Sequence, residues 1–245
     1  MDLSVEQAAQ RLRVDESRVR RLLREGRLAG RRFGGSWVVD GDDVARLESL
    51  SPRGGEPRPV GRPMAAQRAW GLLELLDGRR APWLTPVARS QVRAQARALA
   101  GADASRWRAA LHARSELRRV AAHPAAIGRL QAEPGVLVAG PREAAARGLD
   151  LVAQGAHPEL YVRPDAWPHL VVRYALDEHS SRPSLLVRVP RGGWWPADGE
   201  LSLPVLAADL LENAEPRAVN AAAEVLNDRA SALLGASANQ QPVNR

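Results

Sequence analysis

Residues 14–40 read VDESRVRRLLREGRLAGRRFGGSWVVD, and the fold of the N-terminal part turns on this stretch. Asp15 is an N-cap candidate, because its carboxylate can accept from the free amides of a first helical turn. From there to about Glu25, Val19, Leu22 and Leu23 recur at helical spacing. Gly26 is the C′ residue that lets a helix end in a left-handed turn. Arg31 to Asp40 then hold two β-rich runs around Gly34-Gly35, the signal of a hairpin. Working backwards, Ser4 and Gln7 have the spacing of a capping box, and Leu3, Val5, Ala8, Ala9 and Leu12 supply the apolar side of a first helix. Working forwards, Asp40 or Asp42 caps a third helix through Val44 and Leu47. Residues 1–50 therefore read as one small unit: helix, turn, helix, hairpin, helix.

The second helix has two unlike faces. Val19, Leu22 and Leu23 point together. At 100° per residue, Ser17, Arg21 and Arg24 lie opposite them, with Arg18 and Arg20 on the flanks. Arginine forks reach guanine O6 and N7 or phosphate oxygens, and a helix fits the major groove of DNA. Arg31 and Arg32 stand at the hairpin, where it would meet the neighbouring backbone or minor groove. Phe33 and Trp37 are expected in the hairpin core rather than as base-stacking residues.

The run from Leu3 to Ala9, then Val14 to Leu22, then Gly26-Arg27-Leu28, then Arg32 to Asp40 resembles the excisionase and MerR-type winged helix–turn–helix. The resemblance covers about a fifth of the chain. It implies that the second helix enters the major groove of double-stranded DNA. Carried over, that role falls on Ser17, Arg18, Arg21 and Arg24, with Arg31 and Arg32 in the wing.

Composition agrees with a polyanion partner. The chain has 245 residues, a formal charge of +7, no lysine and no cysteine. All 35 basic side chains are arginine, and Ile127 is the lone isoleucine, a pattern of GC-rich coding that accounts for part of the arginine excess. Absent cysteine excludes disulfides, thiol catalysis, iron–sulfur clusters and thiolate zinc sites. No stretch of 18 apolar residues predicts a membrane span, the first residues do not read as a signal peptide, and a cytoplasmic location is expected. The charge is uneven. Residues 1–50 hold ten Arg and nine acids, residues 51–150 seventeen and eight, and residues 151–245 eight and eleven. The basic two thirds suit DNA. The acidic last third suits another kind of partner or self-assembly.

Residues 51–63 hold four prolines and three glycines and read as an exposed linker. Within it, Pro59-Val60-Gly61-Arg62-Pro63 resembles the AT-hook core, with Val60 where the first arginine would stand. That resemblance makes Arg62 a candidate minor-groove contact; otherwise the run is a spacer. Residues 64–134 read as a basic helical region. One helix runs from Trp70 to Gly78, one is capped by Thr85-Pro86, and one is capped by Ser105 and runs through Leu117 and Val120. A short piece follows from His123-Pro124. From residue 135 the pattern is mixed. Strands fall at Val136–Val138, Leu160–Val162 and Leu185–Val189. Helices start at Pro141, at Asp165 as cap, at Pro204 and at Pro216. Residues 236–245 read as a disordered tail.

Within residues 135–235, Val138 to Leu149, Glu159 to Val162, a basic strand, Pro204 to Glu212 and Pro216-Arg217-Ala218 resemble, in that order, the AbiEi antitoxin family. The resemblance implies an antitoxin of a type IV toxin–antitoxin system. Such a protein represses its own operon at inverted repeats, with possible self-association on DNA, and counters a nucleotidyltransferase-like toxin. The alternative is a stand-alone excisionase/MerR-like regulator or architectural protein with an unrelated C-terminal scaffold or sensor. No metal-ligand spacing joins the five histidines, and no nucleophile elbow, phosphate loop or dinucleotide fingerprint is present, so neither enzyme activity nor a cofactor is expected. Trp194 and Trp195, between glycines and Pro196, are read as a loop anchored on the core or as a stacking platform. Asp177, Glu178, Asp198 and Glu200 are read as solvated loop residues. The expected fold class is α+β, mainly helical: a winged helix–turn–helix, a central helical region, and a C-terminal α/β part with a small sheet.

Overall fold

The computed structural model describes residues 2–12, 14–26, 28–50, 63–151, 157–212 and 215–238. The first core is built by α1 (Val5–Leu12), α2 (Glu16–Arg24) and α3 (Gly41–Leu50) against a three-stranded sheet. The sheet runs β1-β3-β2, from β1 (Asp2–Ser4), β2 (Gly30–Phe33) and β3 (Ser36–Asp40). The capping box forms as read: Ser4 N donates to Gln7 Oε1 at 2.8 Å and Gln7 N to Ser4 Oγ at 3.0 Å. Gly34 and Gly35 take φ of +56° and +83°, the two left-handed residues of a tight hairpin. The sequence placed Leu3 on the first helix. It lies instead in β1, paired with Val39, because β3 offers its second edge to the chain start. Leu3, Val19, Leu22, Leu23, Leu28, Val39 and Val44 close this core.

The rest of the described chain builds an α+β structure on a four-stranded sheet of order β4-β7-β6-β5. Its strands are β4 (Ser115–Val120), β5 (Val136–Ala139), β6 (Glu159–Val162) and β7 (Leu185–Pro190). β6 and β7 are parallel; β4 with β7 and β5 with β6 are antiparallel. One face packs on α7 (Pro124–Gln131) and α9 (Trp167–Arg173) through Leu160, Val162, Leu185, Val187, Leu130, Trp167 and Leu170. The other face carries Tyr161 and Arg188. It meets the larger core of α4 (Ala66–Leu76), α5 (Pro86–Leu99), α6 (Ala104–Leu111), α8 (Pro141–Ala146), α10 (Leu203–Leu210) and α11 (Pro216–Ala238). Strand alternation makes the division: Leu185, Val187 and Val189 of β7 face α7 and α9, and Arg188 turns to the larger core.

Four sequence expectations change. The third central helix stops at Leu111, and Leu117 and Val120 belong to β4. Ser-Glu-Leu-Arg-Arg favours helix locally, but β7 supplies a ladder partner, and tertiary pairing overrides weak propensity. The cap of α6 is Asp103, which accepts from Arg106 N at 2.8 Å, while Ser105 Oγ donates to Asp103. Asp165 does not cap α9; its carboxylate takes Arg163 Nε at 2.7 Å. The boundary read between residues 134 and 135 is crossed by one core, from Met64 to Ala230, and by one sheet. Pairings as distant as Ser115 with Pro190 leave no trace in local periodicity.

Candidate nucleic-acid interface

Asp15 starts α2, accepting from Arg18 N at 2.8 Å and from Ser17 Oγ. Glu25 and Gly26, with φ +66° at the glycine, end it. Val19, Leu22 and Leu23 are buried, and Ser17, Arg20, Arg21 and Arg24 are exposed, with Arg18 half-buried on the flank. The helix is held to the hairpin by a close approach. A side chain at Gly30 would bring a Cβ 2.6 Å from Leu23 Cδ2 and 2.8 Å from Val38 O, so only glycine lets β2 lie this near α2.

The arginines are not equally free. Arg20 Nη2 lies 2.5 Å from Glu16 Oε2 and Arg21 Nε 3.8 Å from Glu25 Oε1, both one helical turn away. Exposed pairs of this kind are worth about 0.3–0.5 kcal/mol, so a phosphate displaces them at little cost. Arg24 Nε donates to Arg20 O at 3.4 Å. Neither Arg18 nor Arg24 has an ion pair with a described carboxylate.

Alternation along β2 separates the two hairpin arginines. Arg31 lies on the outer face, with Nη2 2.5 Å from Asp2 Oδ2. Arg32 pairs across with Trp37 on the helix-covered face and stacks over that ring at 5.5 Å. They do not form one basic edge. Trp37 packs against the small core as read, but Phe33 does not: it sits 73% exposed beside the Gly34-Gly35 turn. Its position as the last residue of β2, opposite Ser36, gives it no apolar partner across the strand pair. Arg62 lies outside the described residues.

Elsewhere several arginines are engaged by acids of the fold. Arg119 Nη2 meets Asp43 Oδ1 at 2.5 Å, and Asp43 also accepts Ala29 N at 2.6 Å, so β4 grips the start of α3, which in turn holds the loop between α2 and β2. A cleft of about 750 Å³ opens beside this contact, lined by Arg24, Glu25, Leu47, Arg118, Glu178 and His179 among others. Arg118 pairs with Glu178 at 2.5 Å, Arg79 with Asp77 and Asp198, and Arg147 with Glu143 and Glu200. Asp198 and Glu200 are solvated loop charges as read, and they also pair with arginines, while Glu178 is half-buried against Arg118.

The most buried charges were unreadable in sequence. Arg114 Nη2 binds Asp209 Oδ1, Arg188 Nη1 lies 2.7 Å from Glu212 Oε2, and Tyr161 Oη donates to Asp209 Oδ1 at 2.8 Å. Burial opposes the charge on both arginines, and the facing Asp209 and Glu212 outweigh it, so both are held above the usual arginine value. Burial, then Asp209, pushes the Tyr161 hydroxyl well above its ordinary range and keeps it a donor. Above the network, Trp194 stacks on Trp70 at 3.8 Å, and Tyr161 meets both edge-on. Trp194 Nε1 donates to buried Glu74 at 2.9 Å, which makes Trp194 a core anchor rather than a stacking platform.

With this geometry in place, the comparison with known families is direct. Residues 3–48 match the helix-turn-helix domain family. No curated protein and no solved structure matches the chain. The matched span holds α1, α2 and the β2–β3 hairpin, and the helix-turn-helix match marks this part as that of a DNA-binding regulator. Among the described residues no cluster of three or more His, Asp or Glu is arranged to hold a metal ion, and no helix is long and apolar enough to cross a membrane.

Proposed function

We propose that the chain is a sequence-specific transcriptional regulator of the winged helix–turn–helix kind. In this reading α2 enters the major groove with Ser17, Arg18, Arg20, Arg21 and Arg24, and the β2–β3 hairpin is the wing. The carrying observation is the outer face of α2, exposed and arginine-rich on a core matched as helix-turn-helix. Its arginines are committed only to weak one-turn pairs. The test is Arg21→Ala with Arg24→Ala, assayed by gel shift at fixed salt on a duplex selected from a randomised pool by the wild-type chain. Each base-reading side chain is worth about 1–3 kcal/mol, so affinity falls at least about fivefold for each, and discrimination against random duplex collapses. Unchanged affinity and discrimination would refute the assignment.

The finer reading is an antitoxin and autorepressor that binds inverted repeats and counters a nucleotidyltransferase-like toxin in the cytoplasm, itself without enzyme activity or cofactor. Its support is the order of elements after residue 135: β5, α8, β6, β7, α10 and α11 follow the sequence of the resemblance. One observation favours a stand-alone regulator instead. Tyr161, Asp209, Leu210, Leu211 and Glu212, which carry much of that resemblance, are buried, so they serve the core and not a toxin-facing surface. Co-expression with a neighbouring nucleotidyltransferase gene decides between the two: rescue of growth supports the antitoxin, and absence of rescue the regulator.

A further inference from the structure

Of the fourteen arginines that the structure describes in segment 51–150, Arg79, Arg114, Arg118, Arg119 and Arg147 pair with acids of the fold, and α5 gathers three arginines outside these pairs into one row. Its sequence, PVARSQVRAQARAL, holds three arginines and no acid. Arg89, Arg93 and Arg97 recur every four residues, each turned 40° and raised about 6 Å from the last. They wind from the edge of the buried side (Val92, Ala96, Leu99) onto the open side, where Arg93 and Arg97 are exposed and Arg89 half-buried. Ser90 and Ala94, also exposed, flank the row on its open side. None of the three forms an ion pair with a described carboxylate, although α5 packs against α4 and α11. Arg106, exposed on α6, extends the row: its Nη2 donates to Ala98 O at 3.3 Å, beside Arg97.

We infer that this face of α5 is a second binding surface for the phosphate backbone of double-stranded DNA, apart from the recognition helix. Three arginines over about 12 Å of helix span the axial length of three or four successive phosphates on one strand, at 3.4 Å each. The Ser90 hydroxyl supplies a further donor to a phosphate oxygen, and the short side chain of Ala94 lets a strand approach without repulsion. An arginine row without acids suits a uniform line of negative charge, and contacts to phosphates position a protein without reading a base, so the row adds affinity without sequence preference. The choice of DNA over other polyanions rests on the helix-turn-helix assignment; the row itself does not.

The test uses the full chain with Arg89, Arg93 and Arg97 all changed to Gln, which forms helix as well as arginine does. Binding to a random-sequence duplex is measured across a salt series. Each phosphate contact contributes about 0.9 to the slope of log affinity against log salt, so the slope should fall by up to about 2.7. A triple Lys variant, which keeps the charge, should keep the slope. An unchanged slope in the Gln variant overturns the inference. So does a loss confined to phosphatidylserine vesicles with duplex binding intact, which would make the row a membrane contact. Arg21→Ala with Arg24→Ala, measured in parallel, separates the two readings. If that pair loses discrimination but the α5 variant keeps its slope, the regulator stands and the second surface falls. If the α5 variant loses slope while the pair changes nothing, the reverse holds.

Discussion

Asp209→Ala is expected to be among the most damaging single substitutions in this chain. Asp209 is 3% exposed and serves three groups through one oxygen: Arg114 Nη2, Tyr161 Oη at 2.8 Å, and Arg188 Nε at 3.3 Å. Removing it leaves two buried guanidiniums with Glu212, which is 2.7 Å from Arg188 and 3.6 Å from Arg114, and with Glu159 at 3.8 Å from Arg188. An uncompensated buried charge costs about 3–5 kcal/mol. The unpaired Tyr161 hydroxyl adds about 1–3 kcal/mol. Against a typical total of about 5–15 kcal/mol, that removes much of the stability. At about 2–4 °C per kcal/mol for a chain of this size, the melting temperature should fall by at least about 8 °C. Urea unfolding followed by the fluorescence of the Trp70–Trp194 stack measures the loss. Asp209→Asn keeps the oxygen that all three groups meet but not its charge, so its own loss reports the charge and its gap to Asp209→Ala the hydrogen bonds and the filled volume. Replacing Arg114, Arg188, Asp209 and Glu212 together by Met and Leu should recover most of the loss, because a complete apolar substitute avoids desolvating any charge. A loss below about 1 kcal/mol in Asp209→Ala, or no recovery in the fourfold variant, would refute the reading of a coupled buried network.

Three further outcomes are expected. Burial raises the carboxyl of Glu74 above its ordinary value of 4.5, partly offset by the Trp194 hydrogen bond. A raised carboxyl stabilises the fold below the ordinary value and loses that contribution as pH rises through the folded one, so Glu74→Gln should gain on the wild type between pH 4 and pH 7 in parallel thermal melts. Equal differences at both pH values would count against it. Gly30→Ala forces a Cβ into Leu23 and the Val38 carbonyl, and should separate the hairpin from α2, seen as faster amide exchange at Val39 and Leu23. Asp15→Ala removes the cap that accepts from Arg18 N and should cost about 0.5–2 kcal/mol in the N-terminal core, with a matching loss of DNA affinity.

The N-terminal part was legible in sequence because its information is local. Ser4 with Gln7, Asp15, Gly26 and Gly34-Gly35 each act on residues within a turn or two, and Val19, Leu22 and Leu23 mark the buried side without knowledge of the partner. The α5 row is equally local, spaced one turn apart, yet whether its arginines face acids could be judged only once the acids of other elements were placed. The division of charge is the clearest case. Sequence counted seventeen arginines in residues 51–150 as one basic field. Folding pairs Arg114 with Asp209, Arg119 with Asp43 and Arg79 with Asp198, across 95, 76 and 119 positions. Composition, capping and periodicity thus determined the helix–turn–helix core and the face that α2 exposes. The buried ionic lattice, the strand at Ser115–Val120, the opposite faces of Arg31 and Arg32 and the exposure of Phe33 were decided by tertiary structure. Each depends on which distant backbone or carboxylate a residue meets, and no spacing along the chain encodes that.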